Sequence, residues 1–512
     1  MLNRFRVDIM YYCLACVISQ DISNSIIIFL RRRHQRQVKR RLLHGAGRLV
    51  TCSPIIFLWP LIIISGLASC TAHYSVNDAI ESTESVQRFS LLKETKSNRS
   101  DELIVYLAFS GGGTRASAFS YGVLKKLAET NITVNDQPRR FIDEVDVISS
   151  VSGGSFTAAY YGLFGEKIFE DFEQKFLKKN VQAELKRQIL SPLNWFKLGS
   201  LYYSRSDLAA EYYDKLLFEN KTFQEIANSQ GPLIAINATN AALGAQFTFI
   251  GSQFAPICTD LMTYPVSRAV TASSAVPGIF TSIILKNHAG KCEYQSPEWL
   301  EEALLEGSTN TRRYHLAKAL KSYLDIKNQP YIHLLDGAVV DNLGIRLIIN
   351  TTLKEVDHWK ILKDRDLEDV RKVIVIAVNA QTEGEPKFNK RDYSIPIIDS
   401  MGAATSVPLK NYSFETMELL KDNLDDFAEA ATESRCLETR SGTGLNSSCD
   451  VKAYLIEVTF DELESTSERI HLQNLPTSFR LEPDDVDRLV VAAAKLLSSS
   501  KVFQALISEL QN

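Results

Sequence analysis

Short apolar runs that alternate with helical patterns constrain the fold of this chain more than any other feature of its sequence. Several runs are almost continuously apolar, which is typical of strands buried on both faces of a sheet. Helical patterns cover 116–129, 169–190 and 482–510. Because such alternation favours parallel strands covered by helices, we predict an α/β sandwich with a mostly parallel central sheet. The predicted strands are 102–109, 145–151, 232–237, 247–250, 332–335, 373–378 and 454–460.

The N-terminal region, residues 1–70, has the pattern of a secretion leader. Its apolar core, 55–67, contains Pro60 and is shorter than the roughly 20 residues that span a membrane, but it fits the core of a signal peptide. Basic residues precede it, and Ala68, Ser69 and Cys70 follow. This order resembles a bacterial lipobox, which implies lipidation of Cys70 and a lipoprotein of the cell envelope, in the outer membrane and facing the periplasm or the exterior. An uncleaved anchor helix with an incidental cysteine is the alternative.

The distance of this core from Met1 has two explanations. Either the first residues are a genuine extension, or translation starts downstream, for example at Val38. After the leader, residues 71–100 are rich in Ser, Thr, Glu, Asn and Lys, which predicts a flexible tether.

Charge is distributed unevenly along the chain. Residues 1–69 contain ten Arg and Lys but two Asp, so the remainder, with 47 basic and 59 acidic residues, has a net charge of −12. An acidic remainder without a basic stripe argues against nucleic acid as a partner.

Four cysteines remain when those of the leader and Cys70 are left out. Cys258–Cys292 and Cys436–Cys449 are natural disulfide pairs, although four cysteines allow three connectivities and free thiols fit equally well. After the leader, no CxxC or HxxH spacing indicates a metal.

A glycine-rich loop, Gly111-Gly112-Gly113, follows the first predicted strand and precedes a predicted helix. Its N–H groups, unshielded by side chains, are suited to bind an anion or a developing oxyanion. A phosphate-binding loop would look similar, but no Gly-Lys-Ser/Thr follows, and a purely structural turn is also possible.

A second motif, Ser150-Val151-Ser152-Gly153-Gly154, lies where a predicted strand passes into a helix. A nucleophile elbow requires small residues two positions before and after the nucleophile. Ser152 meets this requirement, with Ser150 and Gly154 at those positions, whereas Ser155 has the β-branched Thr157.

Together the two motifs resemble the patatin-like phospholipase family, whose glycine loop is followed by an Arg, here Arg115. The family's third motif is similar to Asp336-Gly337-Ala338, which implies that Asp336 is the base of a Ser–Asp dyad, with Asp341 as a second candidate. Ser150 departs from the family's usual glycine. The segment 272–280 is also similar to a family segment, although we expect it to serve packing.

The resemblance implies a three-layer α/β/α sandwich over 101–350, with 351–512 as an α/β extension that completes or covers this catalytic domain. It implies a hydrolase of membrane lipid esters that uses Ser152 and Asp336, with an oxyanion hole formed by Gly111, Gly112 and Gly113, and no metal or organic cofactor. Arg115 is expected to support the loop or meet a lipid phosphate. A general esterase or acyltransferase and a non-catalytic envelope protein are the alternatives. The apolar segment 190–203 is expected to be a lid or acyl-chain wall, or else ordinary core.

Overall fold

The structure is a computed structural model, and it describes residues 77–87, 99–200, 202–307, 309–354, 358–363, 365, 367–382, 387–390, 392, 394–441 and 449–511. The predicted leader, Cys70 and the greater part of the predicted tether lie outside these residues.

A central, mostly parallel sheet carries the fold, and helices pack around it as a three-layer α/β/α sandwich. Its strand order is β10-β9-β1-β4-β5-β8-β7, with β6 paired to β5; the first five strands of this order are parallel. Strands β1, β4 and β5 are buried along their whole length, which explains their continuous apolar sequences. The strands are β1 Leu103–Phe109, β2 Asn131–Val134, β3 Gln137–Arg140, β4 Val147–Val151, β5 Leu233–Asn240, β6 Ala245–Phe249, β7 Ile283–Lys286, β8 Tyr331–Asp336, β9 Lys372–Asn379 and β10 Lys452–Thr459.

All seven predicted strands are present, and each observed end lies within three residues of the predicted one. The small hairpin β2–β3 and the edge strand β7 were not predicted. Strand β3 has the sequence Gln-Pro-Arg-Arg, which has no apolar alternation, and both turn residues Asn135 and Asp136 have positive φ. Short strands of this kind leave little hydrophobic pattern to detect.

Helices differ more from the prediction. The predicted helix 169–190 is divided, with a π-helical turn at Glu173–Leu177, and the predicted helix 482–510 breaks at Ser500. The long helix Ile397–Ser441 was not predicted. The helices are α1 Glu84–Gln87, α2 Thr114–Glu129, α3 Gly153–Phe164, α4 Ile168–Phe172, α5 Val181–Leu190, α6 Pro192–Leu198, α7 Arg205–Tyr213, α8 Phe223–Asn228, α9 Gly251–Phe254, α10 Val266–Ser273, α11 Glu298–Glu306, α12 Thr311–Ser322, α13 Arg346–Thr352, α14 His358–Lys363, α15 Ile397–Ser441, α16 Thr466–Gln473, α17 Pro483–Ser499 and α18 Lys501–Gln511.

In the part of the chain that the structure describes, no single helix has the length and apolar character needed to cross a membrane; α17 and α18, bent by 62°, meet these criteria only as a pair.

Strands β4 and β8 approach each other end to end along one edge of β5. Val151 of β4 pairs with Asn237, and Asp336 of β8 pairs with the next residue of β5, Ala238. Strand β6 pairs with both Asn237 and Ala238, so it occupies the opposite edge and leaves β4 and β8 on the same one. Because β4 is parallel and β8 antiparallel to β5, their C-terminal ends meet. The residue after β4, Ser152, and the last residue of β8, Asp336, are thereby brought together.

The C-terminal residues extend this sheet. Strand β9 pairs with β1 and β10 pairs with β9, both in parallel, while α17 packs against α2. The region 351–512 therefore supplies two strands and a covering helix of the domain that contains Ser152.

The predicted tether requires a correction for 77–87. Asn77 donates its side-chain N–H to the Thr259 hydroxyl (3.1 Å) and to the Lys286 carbonyl (2.9 Å), and Val86 is fully buried. These residues are therefore docked on the folded domain, because their apolar and amide groups find partners there. The predicted pairs Cys258–Cys292 and Cys436–Cys449 are both disulfides in the structure.

Candidate active site

Ser152 occupies a sharp turn between β4 and α3. Its backbone φ of 48° lies in the left-handed region that non-glycine residues rarely adopt, as expected at a nucleophile elbow. The turn is tight because Gly153 lies against the backbone of Gly113, where any side chain would clash. Ser152 itself is 6% exposed. The elbow therefore holds one hydroxyl in a fixed direction between the glycine loop and the end of β8.

Asp336 accepts a hydrogen bond from the Ser152 hydroxyl, with 2.9 Å between Oγ and Oδ2. Its other oxygen, Oδ1, accepts the N–H of Ala338 at 2.9 Å. Burial raises the pKa of Asp336 from 3.8 to about 6, although both hydrogen bonds act in the opposite direction. A carboxylate with this pKa is mostly ionised at neutral pH and is a stronger base than an ordinary Asp. Among the described histidines, none hydrogen-bonds to either residue.

Asp341, the second candidate for the base, has a different role. Its Oδ1 accepts the N–H of Gly344 at 3.1 Å, and its Oδ2 accepts the N–H of Arg346 at 2.8 Å. Burial raises its pKa. Asp341 therefore fixes the turn between β8 and α13, and the hydrogen bond to Ser152 belongs to Asp336.

The glycine loop lies beside Ser152, but its three residues are not equivalent. The N–H of Gly111 donates to the Asn342 carbonyl at 2.9 Å, so it is occupied and does not serve as an oxyanion donor in this arrangement. Gly112 and Gly113 have positive φ values of 144° and 62°. Within the described residues, their N–H groups make no hydrogen bond. Gly113 also approaches the Ser478 carbonyl so closely that a side chain would clash there.

Arg115 is buried beneath the loop and anchors it to the C-terminal region. Its guanidinium donates to the carbonyls of Ala380 (2.9 Å) and Leu475 (2.7 Å) and to the Thr477 hydroxyl (3.1 Å). Burial lowers its pKa to about 10, which leaves it charged at neutral pH. Of its two expected roles, these contacts favour support of the loop over contact with a lipid phosphate.

The segment 272–280, expected to serve packing only, also positions the dyad. The N–H of Ser152 donates to the Ser273 hydroxyl (2.8 Å), which in turn donates to the Asn237 carbonyl (2.6 Å). The N–H of Asp336 donates to the carbonyl of Ala275 at 3.0 Å. The last residue of α10, Ser273, thus holds Ser152, and Ala275, just after the helix, holds Asp336. Sequence reasoning missed this role because a Ser-rich helix end carries no chemical signature of its own.

Gly153 is a further candidate that the sequence analysis did not assign. Its N–H is the first of α3 and has no hydrogen bond within the described residues. The first amides of a helix lack intrahelical partners, and the amide after the nucleophile contributes to the oxyanion hole of many hydrolases. This role could have been predicted from the sequence, because Gly153 directly follows Ser152 in the elbow motif.

An exposed apolar surface is formed by α6. Leu193 is 84% exposed, Trp195 58% and Phe196 90%, and none of the helix's residues is buried. The preceding helix α5 packs against α7, and α7 packs against α10, which carries Ser273. This surface is therefore not ordinary core, and it is connected to α10 through α5 and α7.

The part of the chain that carries these motifs matches one family model. Residues 107–349 match the family model described as Patatin-like phospholipase. Among solved structures, human GIVD cytosolic phospholipase A2 matches with 11% identity and a TM-score of 0.41, covering 84% of this chain and 62% of that one. The same protein in complex with methyl gamma-linolenyl fluorophosphonate matches with 13% identity and a TM-score of 0.36, covering 80% and 59%.

The chain thus spans about three fifths of the length of these solved structures. No curated protein matches it. Over residues 107–349, which contain the glycine loop, Ser152 and Asp336, this chain matches the patatin-like phospholipase family.

Proposed function

We propose that this protein is a lipid acyl hydrolase of the phospholipase A or lysophospholipase type, with Ser152 as nucleophile and Asp336 as base. The observation that carries the proposal is the 2.9 Å hydrogen bond from the Ser152 hydroxyl to a buried carboxylate. Burial places the pKa of this carboxylate near 6, close to the pH at which it has to act. The match of residues 107–349 to the patatin-like phospholipase model supports the same chemistry.

In the first half-reaction, Asp336 takes the proton of Ser152 as Oγ bonds to the ester carbonyl carbon. The carbonyl oxygen gains negative charge, which the N–H groups of Gly112 and Gly113 stabilise. Removing one such donor typically costs about 10²–10³ in rate. When the tetrahedral intermediate collapses, the ester C–O bond breaks and the leaving alkoxide takes the proton from Asp336. The acyl group remains on Ser152.

In the second half-reaction, water attacks the acyl carbon and gives its proton to Asp336. The Ser152–acyl bond breaks, the fatty acid leaves, and the serine oxygen recovers the proton. Arg115 contributes by holding the glycine loop against Ala380 and Leu475. Apart from the substrate and water, these steps use only side chains and backbone N–H groups of this chain.

The exposed surface of α6 and the sequence of the leader support the proposed substrate and its proposed location. Leu193, Trp195 and Phe196 form an apolar surface that suits a lipid aggregate. An envelope lipoprotein anchored through Cys70 would keep this surface close to membrane lipids. Two disulfides support export to an oxidising compartment.

A fluorophosphonate probe tests the catalytic assignment, because it labels serines that are activated as nucleophiles. Labelling of the folded protein should disappear in Ser152→Ala and persist in the matched control Ser155→Ala, whose hydroxyl contacts Ser273 and not Asp336. Absence of labelling in the folded wild-type protein would favour the non-catalytic alternative. Product analysis on mixed phospholipids then separates a lipid hydrolase, which releases fatty acids, from an esterase or acyltransferase acting on other acyl donors.

A further inference from the structure

A cavity of about 820 Å³ lies apart from the dyad, between the β5–β6 turn and helices α11, α12, α13 and α15. Neither Ser152 nor Asp336 lines it; the loop that follows β8 contributes Val340. Its volume falls in the range of about 300–1,000 Å³ that is usual for sites of small organic ligands. The dyad does not explain this cavity.

The charged residues that line the cavity are all basic. Arg312, Arg346 and Lys354 border it, together with His315, and no Asp or Glu is among the described lining residues. Within the described residues, none of the three cations forms an ion pair. The nearby Glu302 and Glu306 are taken up by Arg313 on the same helix as Arg312.

Two of these cations, Arg346 and Lys354, contact aromatic rings, and their side chains make no hydrogen bond within the described part of the chain. Arg346 lies over the Tyr412 ring, 4.4 Å from its centroid, and its buried Nε has no hydrogen-bond partner. Asp341 acts on Arg346 electrostatically, but its oxygens are bound to backbone N–H groups. The Nζ of Lys354 lies 6.0 Å from the centroid of the Trp299 ring. Burial and the positive charge of Arg365 lower the pKa of Lys354 to about 8. Both side chains are partly buried, and a partly buried cation without a hydrogen-bonded anion is unfavourable, so this arrangement favours an anion.

The rest of the wall is largely apolar. Aliphatic side chains from the β5–β6 turn and from α12, α13 and α15 face the same space: Leu243, Leu316, Leu320, Ile349, Leu353 and Leu419. An inorganic anion would leave this wall without a partner, whereas a neutral hydrocarbon would leave the cations without one.

We propose that this cavity binds an anionic amphiphile, with its carboxylate or phosphate group at Arg346 and Lys354 and its acyl chain along the aliphatic wall. The site is distinct from the dyad, and its occupancy does not depend on catalysis. The inference therefore stands or falls separately from the proposed function when binding is measured in a chain that carries Ser152→Ala.

Trp299 lines the cavity and provides the measurement. Dibromostearate quenches tryptophan on contact, so its titration below micellar concentration into full-length Ser152→Ala protein should quench fluorescence saturably. Trp195→Phe in the same chain removes the exposed tryptophan of α6. Further replacement by Trp299→Phe should abolish the saturable signal, and the methyl ester of the probe should bind much more weakly than the acid.

The charge variants test the head-group contacts. Lys354→Met and Arg346→Met should each raise the Kd roughly ten-fold or more, because each removes a charge-assisted contact. Lys318→Met, an exposed position on α12 outside the cavity, is the matched control and should leave the Kd unchanged. Thermal melts establish that each variant is folded, and two independent variants protect the test against the failure of one.

Competition distinguishes the sources of the anion. An alkyl phosphate that displaces the probe would extend the site to phosphate head groups, whereas displacement by laurate alone would restrict it to fatty acids; both outcomes support the proposal. Three results would overturn it: quenching that persists without Trp299, equal binding of acid and methyl ester, or displacement by inorganic phosphate as effective as that by alkyl phosphate.

Discussion

Asp336→Asn should abolish activity and stabilise the folded protein at neutral pH. The side chain keeps its shape and one acceptor oxygen, so the hydrogen bond from Ala338 can persist, but it can no longer take the Ser152 proton. Burial raises the pKa of Asp336 from 3.8 to about 6, so ionisation of this carboxyl is more costly in the folded protein than in the unfolded chain. At about 1.4 kcal/mol for each pH unit, the cost is roughly 3 kcal/mol at neutral pH.

The sign of the pH dependence follows from the raised pKa. The folded protein holds this proton more tightly than the unfolded chain, so the contribution to stability is full below about pH 3.8 and is lost as the pH rises through about 6. The variant cannot ionise at this position. Its advantage over wild type should therefore be largest above about pH 6, fall to about half near pH 5 and to about a fifth near pH 4, and vanish below about pH 3.

Urea unfolding of both proteins across this pH range measures the difference in the free energy of unfolding. Asp101→Asn, an exposed carboxyl on the same domain, is the matched control and should show no such gap. A variant that is less stable than wild type at neutral pH, or a stability gap that does not change with pH, would refute the argument that Asp336 is strained by burial. Full activity of the variant would refute its role as the base.

Three further results are expected. For wild type acting on a soluble short-chain ester, kcat/KM should be half-maximal near pH 6 and fall about ten-fold for each lower pH unit, because only ionised Asp336 accepts the proton; a profile flat down to pH 4.5 would contradict this. Ser273→Ala should lower kcat with little change in KM, since it releases the Ser152 N–H, whereas Ser274→Ala, whose hydroxyl binds Val270, should not. Trp195→Ser should reduce activity on phospholipid micelles more than on soluble esters, and equal losses would exclude α6 as the lipid-facing surface.

The sequence was sufficient to predict seven of the eight strands of the central sheet and the two residues, Ser152 and Asp336, that share a hydrogen bond. Strands such as Leu103–Phe109 are buried on both faces, so their apolar runs are continuous and easily recognised. Ser152 and Asp336 could be identified because each lies in a short motif whose small residues are required by local backbone geometry. Their hydrogen bond spans 184 residues, and only the family resemblance predicted it.

Other features depend on tertiary contacts that leave no local pattern. The hydrogen bond from the Gly111 N–H to the Asn342 carbonyl depends on the position of the loop after β8. This position leaves no pattern near Gly111, so the three glycines looked equivalent in the sequence. Ser273 acts through its position at the end of α10. The docking of Asn77 on Thr259 and Lys286 gave no hydrophobic signal, and the polar composition around it therefore suggested a free tether.

The contact between the glycine loop and Ser478 makes the candidate active site depend on residues near the C-terminus. Thr114 donates its N–H to the Ser478 carbonyl, and Arg115 reaches the carbonyl of Leu475, so residues near the C-terminus hold the loop that faces Ser152. A nascent chain that has been synthesised only as far as Asp336 lacks the residues that make these contacts. The loop that faces Ser152 is therefore held in its observed position only once residues 475–478 have been synthesised and have folded against it.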